Sequence, residues 1–302
     1  SVAYFYMNQP VVDLKSESEL DVQFFKFVAE HGKQYKTAQE VKLRFDQFKK
    51  NLGEIKKLIK SGELTHDVAV NYMADWTDEE YKSLLNYRSR HHPVRKTLKS
   101  NLNQIFDYVD WNQKGHVTDV KDQGSCGSCW AFSAIGAVEA AYAQLDGTTL
   151  PDLSEQLLVD CNRGTWIFGN QGCNGGLMNY AFDWLKTNQP ALTSDYPYTA
   201  RDGTCKFNKA LVKASISSFT DVPANDCKTL MSAITQQPTS VAIAANAIMF
   251  YSGGVFANAG CGTGLNHGVT AVGYGTDAGQ NYYIVRNSWG SAWGENGFFR
   301  IV

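Results

Sequence analysis

Eighteen residues, Ser128 to Leu145, contain no proline and a single glycine, Gly136, and are apolar almost all the way round through Trp130, Ala131, Phe132, Ala134, Ile135, Ala137, Val138, Ala140, Ala141, Tyr142 and Leu145. A helix that is hydrophobic on every face belongs inside a domain, so this segment predicts a central helix with the rest of the chain packed around it. Leading into it, and overlapping its first three residues, is Gln123-Gly-Ser-Cys-Gly-Ser-Cys-Trp130. If the helix starts near Ser128, Cys129 sits in its first turn, where unpaired backbone N–H groups and the positive dipole end favour an anion such as a thiolate. Taken alone, the Cys126/Cys129 pair is also compatible with a redox dithiol, half of a zinc site, or two disulfide partners. A redox pair calls for a small βαβ setting, which the neighbouring sequence does not offer. Zinc calls for four ligands, and residues 105–302 hold only two histidines, His116 and His267.

With 302 residues the chain can form two cores, or one larger domain and a regulatory segment. Its uneven composition favours the second. All seven cysteines lie between Cys126 and Cys261, whereas four of the six histidines precede residue 93. Residues 1–104 carry a net charge of +3 and residues 105–302 one of −5, so the two parts attract each other at neutral pH, and protonation of carboxylates in acid should loosen them. Six of the seven cysteines could pair and leave one thiol free, a pattern of proteins made in an oxidising compartment. No apolar run is long enough to span a membrane, no Asn-x-Ser/Thr sequon occurs, and no basic stripe with interleaved aromatics points to nucleic acid. The opening Ser-Val-Ala-Tyr-Phe-Tyr-Met has neither an initiator methionine nor a basic signal front, which suggests that a leader preceded it.

Along the front part, residues 20–31 predict a short amphipathic helix with Val22, Phe24, Phe25, Phe27 and Val28 as a crowded apolar face. Thr37 with Glu40 fits a capping box, and Val41, Phe45, Phe48, Leu52, Ile55 and Ile59 keep a helical period to about Lys60. Residues 65–74 suggest a short strand and turn, and Thr77 with Glu80 caps a helix ending near Leu85. The polar, basic stretch 86–103 suggests an extended linker. Behind it come the nucleophile helix, a helix from about Ser154, a loop-rich region with Gly-Cys-Asn-Gly-Gly at 172–176, and a helix over 180–186. Strand-like segments follow at 240–244, 267–274, 281–287 and 297–301. Helices first and strands later predict an α+β protein.

A cysteine nucleophile needs a base, and the base needs a partner that holds it. His267 opens one predicted strand and Asn287 ends the next. In an antiparallel hairpin the start of one strand lies beside the end of its neighbour, so an Asn287 carbonyl can fix the imidazole's orientation and tautomer.

The motifs Gln-Gly-Ser-Cys-Gly-Ser-Cys-Trp, Gly-Cys-Asn-Gly-Gly, Asn-His-Gly and Asn-Ser-Trp-Gly stand in the order found in papain-like cysteine proteases, and from about Ile105 to its end the chain resembles that family, most of all its cathepsin L branch. The resemblance implies a papain-like two-domain fold: a helical half over 105–215 and an antiparallel, β-barrel-like half over 216–302, preceded by a small helical propeptide domain over 1–104. It implies Cys129 as nucleophile, His267 as general base and then acid, Asn287 as its orienter, and Gln123 as side-chain donor to the oxyanion beside the Cys129 N–H. Trp289 would shield the Asn287–His267 bond from water. The resemblance also implies Gly175, Gly176 and Trp289 as substrate-binding residues, and Leu177, Met178, Ala242, Leu265 and Gly268 match positions that line the subsite for the residue two before the scissile bond, which suggests an apolar pocket for Leu, Phe or Val.

Residues 1–104 resemble the family's inhibitory propeptide. Glu40, Arg44, Phe48, Asn51 and Ile55 follow its long-helix motif, with Ile59 where Asn is expected. Asn71 and Asp75 follow its second motif, with Ala69 and Met73 in place of Gly and an aromatic. By resemblance, 86–103 runs along the cleft in the non-productive direction as an intramolecular inhibitor. Disulfides Cys126–Cys173 and Cys161–Cys205 are implied, and Cys227–Cys261 is expected because the family's tail cysteine has no counterpart here. The implied protein is the monomeric zymogen of an acid-active endopeptidase that cleaves proteins and peptides. It would act without metal or cofactor, and without nucleic acid or membrane partners, in a lysosome-like vacuole or after secretion. A catalytically silent homologue, or a propeptide-type inhibitor of related proteases, is the alternative.

Overall fold

The computed structural model describes residues 14–88, 96–99, 105–146, 150–165, 169–208, 216–257 and 262–302. Helix α4 (Cys129–Asp146) is the predicted central element. It is packed between α5 (Glu155–Cys161) and α6 (Met178–Asn188) on one side and strands β3 (Thr239–Ile243) and β5 (His267–Asp277) on the other. Its Trp130, Ile135 and Val138 form one core with Leu158, Val159, Met178 and Leu185. The lone glycine has a use here: a Cβ on Gly136 would sit 3.1 Å from Thr270 Oγ1 and 3.2 Å from Arg286 Nη1, tighter than the strand layer allows without moving.

The strand layer also contains β2 (Val109–Asp110), β4 (Tyr251–Phe256), β6 (Gln280–Arg286) and β7 (Phe298–Ile301). With β1 (His66–Val68) at one edge the order is β1-β4-β7-β6-β5-β2, and β3 also pairs with β5. Among the described residues this sheet is open rather than barrel-closed, and β4 runs parallel to β7. A parallel pair needs a crossover, and the whole β5–β6 hairpin supplies it. Helix α7 (Cys227–Gln236), capped by the Asp226 carboxylate on Thr229 N, lies on β5, where only strands were anticipated.

The front part is built from α1 (Leu14–Glu30), α2 (Ala38–Ser61), β1 and α3 (Asp78–Leu84). Phe24, Phe27, Phe48, Leu52 and Ile55 close its own core. Thr37 caps α2 through Glu40 N, but the Glu40 carboxylate turns to Lys36 N, so the reciprocal box forms only at Thr77 and Glu80 on α3. The Arg44–Glu80 and Lys33–Asp75 ion pairs are internal to this part. Its grip on the rest is mainly apolar: Met73, Tyr81 and Leu84 enter the core formed by Ile248, Trp289, Trp293 and Phe299. Polar links include the β1–β4 pairing, Asn71 Nδ2 to Met249 O and the Tyr81 hydroxyl to Ala245 O.

Cys126–Cys173 and Cys161–Cys205 are disulfides. The expected Cys227–Cys261 bridge is corrected: Cys227 is an exposed free thiol at the start of α7, turned toward Tyr283 on β6, and Cys261 lies outside the described residues. Parts of the linker, 89–95 and 100–104, also lie outside them.

Candidate active site

Cys129 is the first residue of α4 and is fully buried. His267 opens β5 and Asn287 follows the last residue of β6, so the antiparallel pairing brings them together as the sequence suggests. His267 Nε2 lies 2.8 Å from Asn287 Oδ1, which also accepts from Ser288 N at 2.8 Å. An amide oxygen only accepts, so the ring proton is on Nε2, and Nδ1, with no partner of its own, is the basic nitrogen. Trp289 is fully buried and stacks on the imidazole, with ring centroids 4.8 Å apart. The thiol lies against the Gly268 N–H, the residue after His267.

Gln123 is held by two clasps. Its backbone N donates to Ser288 O at 2.9 Å, and its side-chain Oε1 accepts from Ser288 Oγ at 2.7 Å. The carbonyl end of the amide is thereby fixed, and Nε2 points to Cys126 O at 2.9 Å and Leu84 O at 3.2 Å. Ser288 went unnoticed in the sequence reading although it lies inside the quoted Asn-Ser-Trp-Gly motif.

The front part threads through the same place. The Asn86 N–H reaches the Cys129 thiol, Gly176 N donates to Asn86 O, Arg88 N donates to Gly176 O, and Tyr87 N donates to Asn266 O. Tyr87 and Gly176 pair in the parallel sense. Glycine is required at this approach: Gly175 has φ of +105°, and a Cβ there would lie 2.2 Å from Asn86 O. Tyr87 packs against the cluster that contains Met178, joined by Ala242. Ala242 pairs with Gly268, whose own Cβ would sit 3.2 Å from Met178 Sδ. Met178, Ala242 and Gly268 therefore converge. Leu177 is buried and donates its N–H to Asn170 Oδ1, whereas Leu265 stays 46% exposed.

Burial dominates the electrostatics. It pushes the Cys129 thiol up to about 11, against the N–H groups of Gly268, Asn86 and Trp130, which favour the anion. It pulls His267 down to about 4, against the Asn287 bond. With the front part in place both groups are neutral, and the anion-favouring helix start is overridden.

Residues 105–302 match the family model described as papain family cysteine protease, and residues 24–81 match the cathepsin propeptide inhibitor domain. The chain is 44% identical over 303 residues to the probable cysteine protease RD21B of Arabidopsis thaliana, covering 95% of this chain but 63% of that protein, somewhat under two thirds of its length. It is 42% identical to the cysteine protease XCP2 of the same plant, covering 96% of this chain and 82% of that one. Among solved structures, digestive procathepsin L 3 of Tenebrio molitor larval midgut superposes with a TM-score of 0.85 at 39% identity, covering 94% of this chain and 93% of the other. Recombinant stem bromelain precursor gives 0.86 at 38%, covering 94% and 92%.

Proposed function

The chain belongs to the papain family of cysteine proteases and carries the propeptide inhibitor domain in front of it, and on that premise we propose that it is the zymogen of a cysteine endopeptidase. Residues 1–104 are read as the propeptide, 105–215 as the helical half and 216–302 as the strand-rich half of the catalytic unit. The observation that carries the reading is the His267–Asn287 hydrogen bond, which leaves Nδ1 basic, while the N–H of the next residue, Gly268, reaches the thiol of a cysteine at the start of a buried helix.

In this reading Cys129 Sγ attacks the scissile carbonyl carbon and its proton passes to His267 Nδ1. The carbonyl oxygen gains the negative charge and is met by Gln123 Nε2 and the Cys129 N–H. Collapse expels the amine, which leaves with the proton from His267, and a thioester remains. Water then gives a proton to the same nitrogen, adds to the thioester, and Cys129 departs as thiol with the acid product. Asn287 holds the ring through both halves, and Trp289 keeps water from their bond.

The front part supports a silent starting state. Leu84 O takes the Gln123 donor, Asn86 covers the thiol, and Tyr87 runs parallel to Gly176, the sense in which a productive substrate would not bind. Met178, Ala242 and Gly268 line an apolar subsite that suits Leu, Phe or Val two residues before the scissile bond. Gly175 and Gly176 give a substrate backbone room to approach, and Leu177 and Leu265 stand at the edge of that subsite. Gln123, Cys129, His267 and Asn287 carry the chemistry. The protein acts as a monomer in an acid vacuole or after secretion, where proteolysis removes the front part.

Hydrolysis of a fluorogenic peptide with Phe or Leu at that position, assayed with reductant at neutral and acid pH while chain mass is followed, tests this. Activity should appear in acid together with loss of about a third of the chain, the front 104 of 302 residues. Cys129→Ala should abolish it, and Gln123→Ala should lower turnover by about 10²–10³-fold. Hydrolysis by a Cys129→Ala protein would end the proposal.

A further inference from the structure

Ser128, the residue before α4, would ordinarily turn its hydroxyl onto the free N–H groups of the first helical turn. Here Ser128 Oγ lies 2.6 Å from the Tyr198 hydroxyl instead. The Tyr198 hydroxyl in turn donates to Gln123 O at 2.8 Å. A phenol has one hydrogen, and Gln123 O can only accept, so Tyr198 gives its hydrogen to Gln123 and Ser128 gives its own to Tyr198. The direction of the relay is therefore fixed. The Tyr198 ring is held edge-on against Phe132 of α4, with centroids 4.9 Å apart, and packs on the core around Trp130.

Two consequences meet at the reacting atoms. The backbone of Gln123 is tied to the residue preceding Cys129 through one hydroxyl, so the spacing between the side-chain oxyanion donor and the nucleophile is set from behind. The Ser128 hydroxyl is also kept off the helix start, which leaves the Trp130 N–H available to the Cys129 sulfur. We propose that Tyr198 is a positioning residue for the hydrolytic reaction, fixing Gln123 against Cys129 through its hydroxyl and reserving the N-terminal turn of α4 for the sulfur. This rests on the cysteine-endopeptidase reading above.

Tyr198→Phe keeps the ring and removes only the relay. In the processed protein, normalised to titratable thiol, we expect kcat to fall about tenfold with KM unchanged, since small misplacements of reacting groups are costly in rate. In a Gln123→Ala background the same change should cost clearly less than tenfold, because the oxyanion donor it positions is gone and only the part that acts through the Trp130 N–H remains. Ser128→Ala should lower kcat in the same direction. Unchanged kcat in Tyr198→Phe overturns the proposal. So does an equal factor in both backgrounds, or a loss that appears in KM and melting temperature alone, since each describes a structural tyrosine. Failure of the endopeptidase reading would show separately, as hydrolysis that survives Cys129→Ala.

Discussion

Cys129 and His267 are held in their unreactive protonation states by the residues that cover them. Burial is the largest cause of both directions, up to about 11 for the thiol and down to about 4 for the imidazole, while the Asn86 N–H that reaches the thiol favours the anion and only partly offsets it. Removing the front part should open the pair to water, which favours thiolate and imidazolium together. Thiol alkylation followed against pH should therefore show a midpoint several units lower in the processed protein than in the intact chain, raising the thiolate fraction at neutral pH by at least about 10²-fold. Coincident profiles would show that covering does not silence the thiol. At this scale the sequence was informative where choice was narrow: with two histidines behind residue 105, His267 could be named and its Asn287 partner placed by hairpin geometry. Tyr198 and Ser288 were not legible, because each acts through a hydroxyl on Gln123 and such a contact leaves no local pattern. The Cys227–Cys261 expectation paired the two cysteines left over once the family's tail cysteine had no counterpart, and such elimination says nothing about where two sulfurs lie.

Elements with their own caps were easiest to foresee. Thr37, Thr77 and Ser154 each accept a backbone N–H at a predicted helix start, and the apolar period of α2 follows its buried face through Ile55, beyond which Ile59 is exposed. Strand β4, Tyr-Ser-Gly-Gly-Val-Phe, was missed because two glycines erase the strand pattern. It exists because β1 and β7 pair with it from either side. That β1–β4 ladder also carries the group to which we assign the proposed acid response. His66 is buried, with its ring centroid 4.6 Å from Phe256 and 5.9 Å from Tyr251, and its Nδ1 has no partner. Burial lowers its pKa, with Asp67 on the same strand opposing; Glu295, paired with Arg300, lies near Gly253. The docked form thus keeps the ring neutral while the released form takes up a proton below about 6.5. Docking is strongest above that value and weakens as pH falls below it. His66→Phe, which keeps the ring and drops the charge, should move the pH midpoint of front-part release downward in a Cys129→Ala chain, followed by tryptophan fluorescence. An unmoved midpoint would remove His66 from the trigger and return it to the carboxylates that the opposed charges of the two parts suggest.

For the molecule as a whole, the activation in acid proposed above requires that acid loosen the front part without unfolding what remains. A buried charge cluster in the catalytic unit gives the second half of that requirement. Lys121 Nζ reaches Glu139 Oε1 and Glu155 Oε1, both at 2.9 Å, while Arg286 Nη1 is 3.7 Å from Glu139 Oε2 and its Nη2 meets Asp119 O. The cluster joins α4, the start of α5 and the end of β6 behind the reacting residues. Burial raises the Glu155 pKa, Glu139 adds to the rise, and Lys121 opposes it. Glu155 in the folded protein therefore holds its proton to a higher pH than in the unfolded chain, where it is lost near 4.5. Between those two values the folded state binds more protons, so its stability falls as pH rises. Asp152 at the rim of the cluster is lowered and acts in the opposite sense, but its side chain is 61% exposed and screened by solvent. In the thiol-blocked, processed protein the melting temperature should decline as pH is raised from about 4.5 toward neutral. Glu155→Gln, which keeps shape and removes the titration, should flatten that decline. A variant with the parent's slope would mean that the cluster contributes nothing to acid tolerance, leaving the opposite pH responses of the front and back parts without a source in the catalytic core.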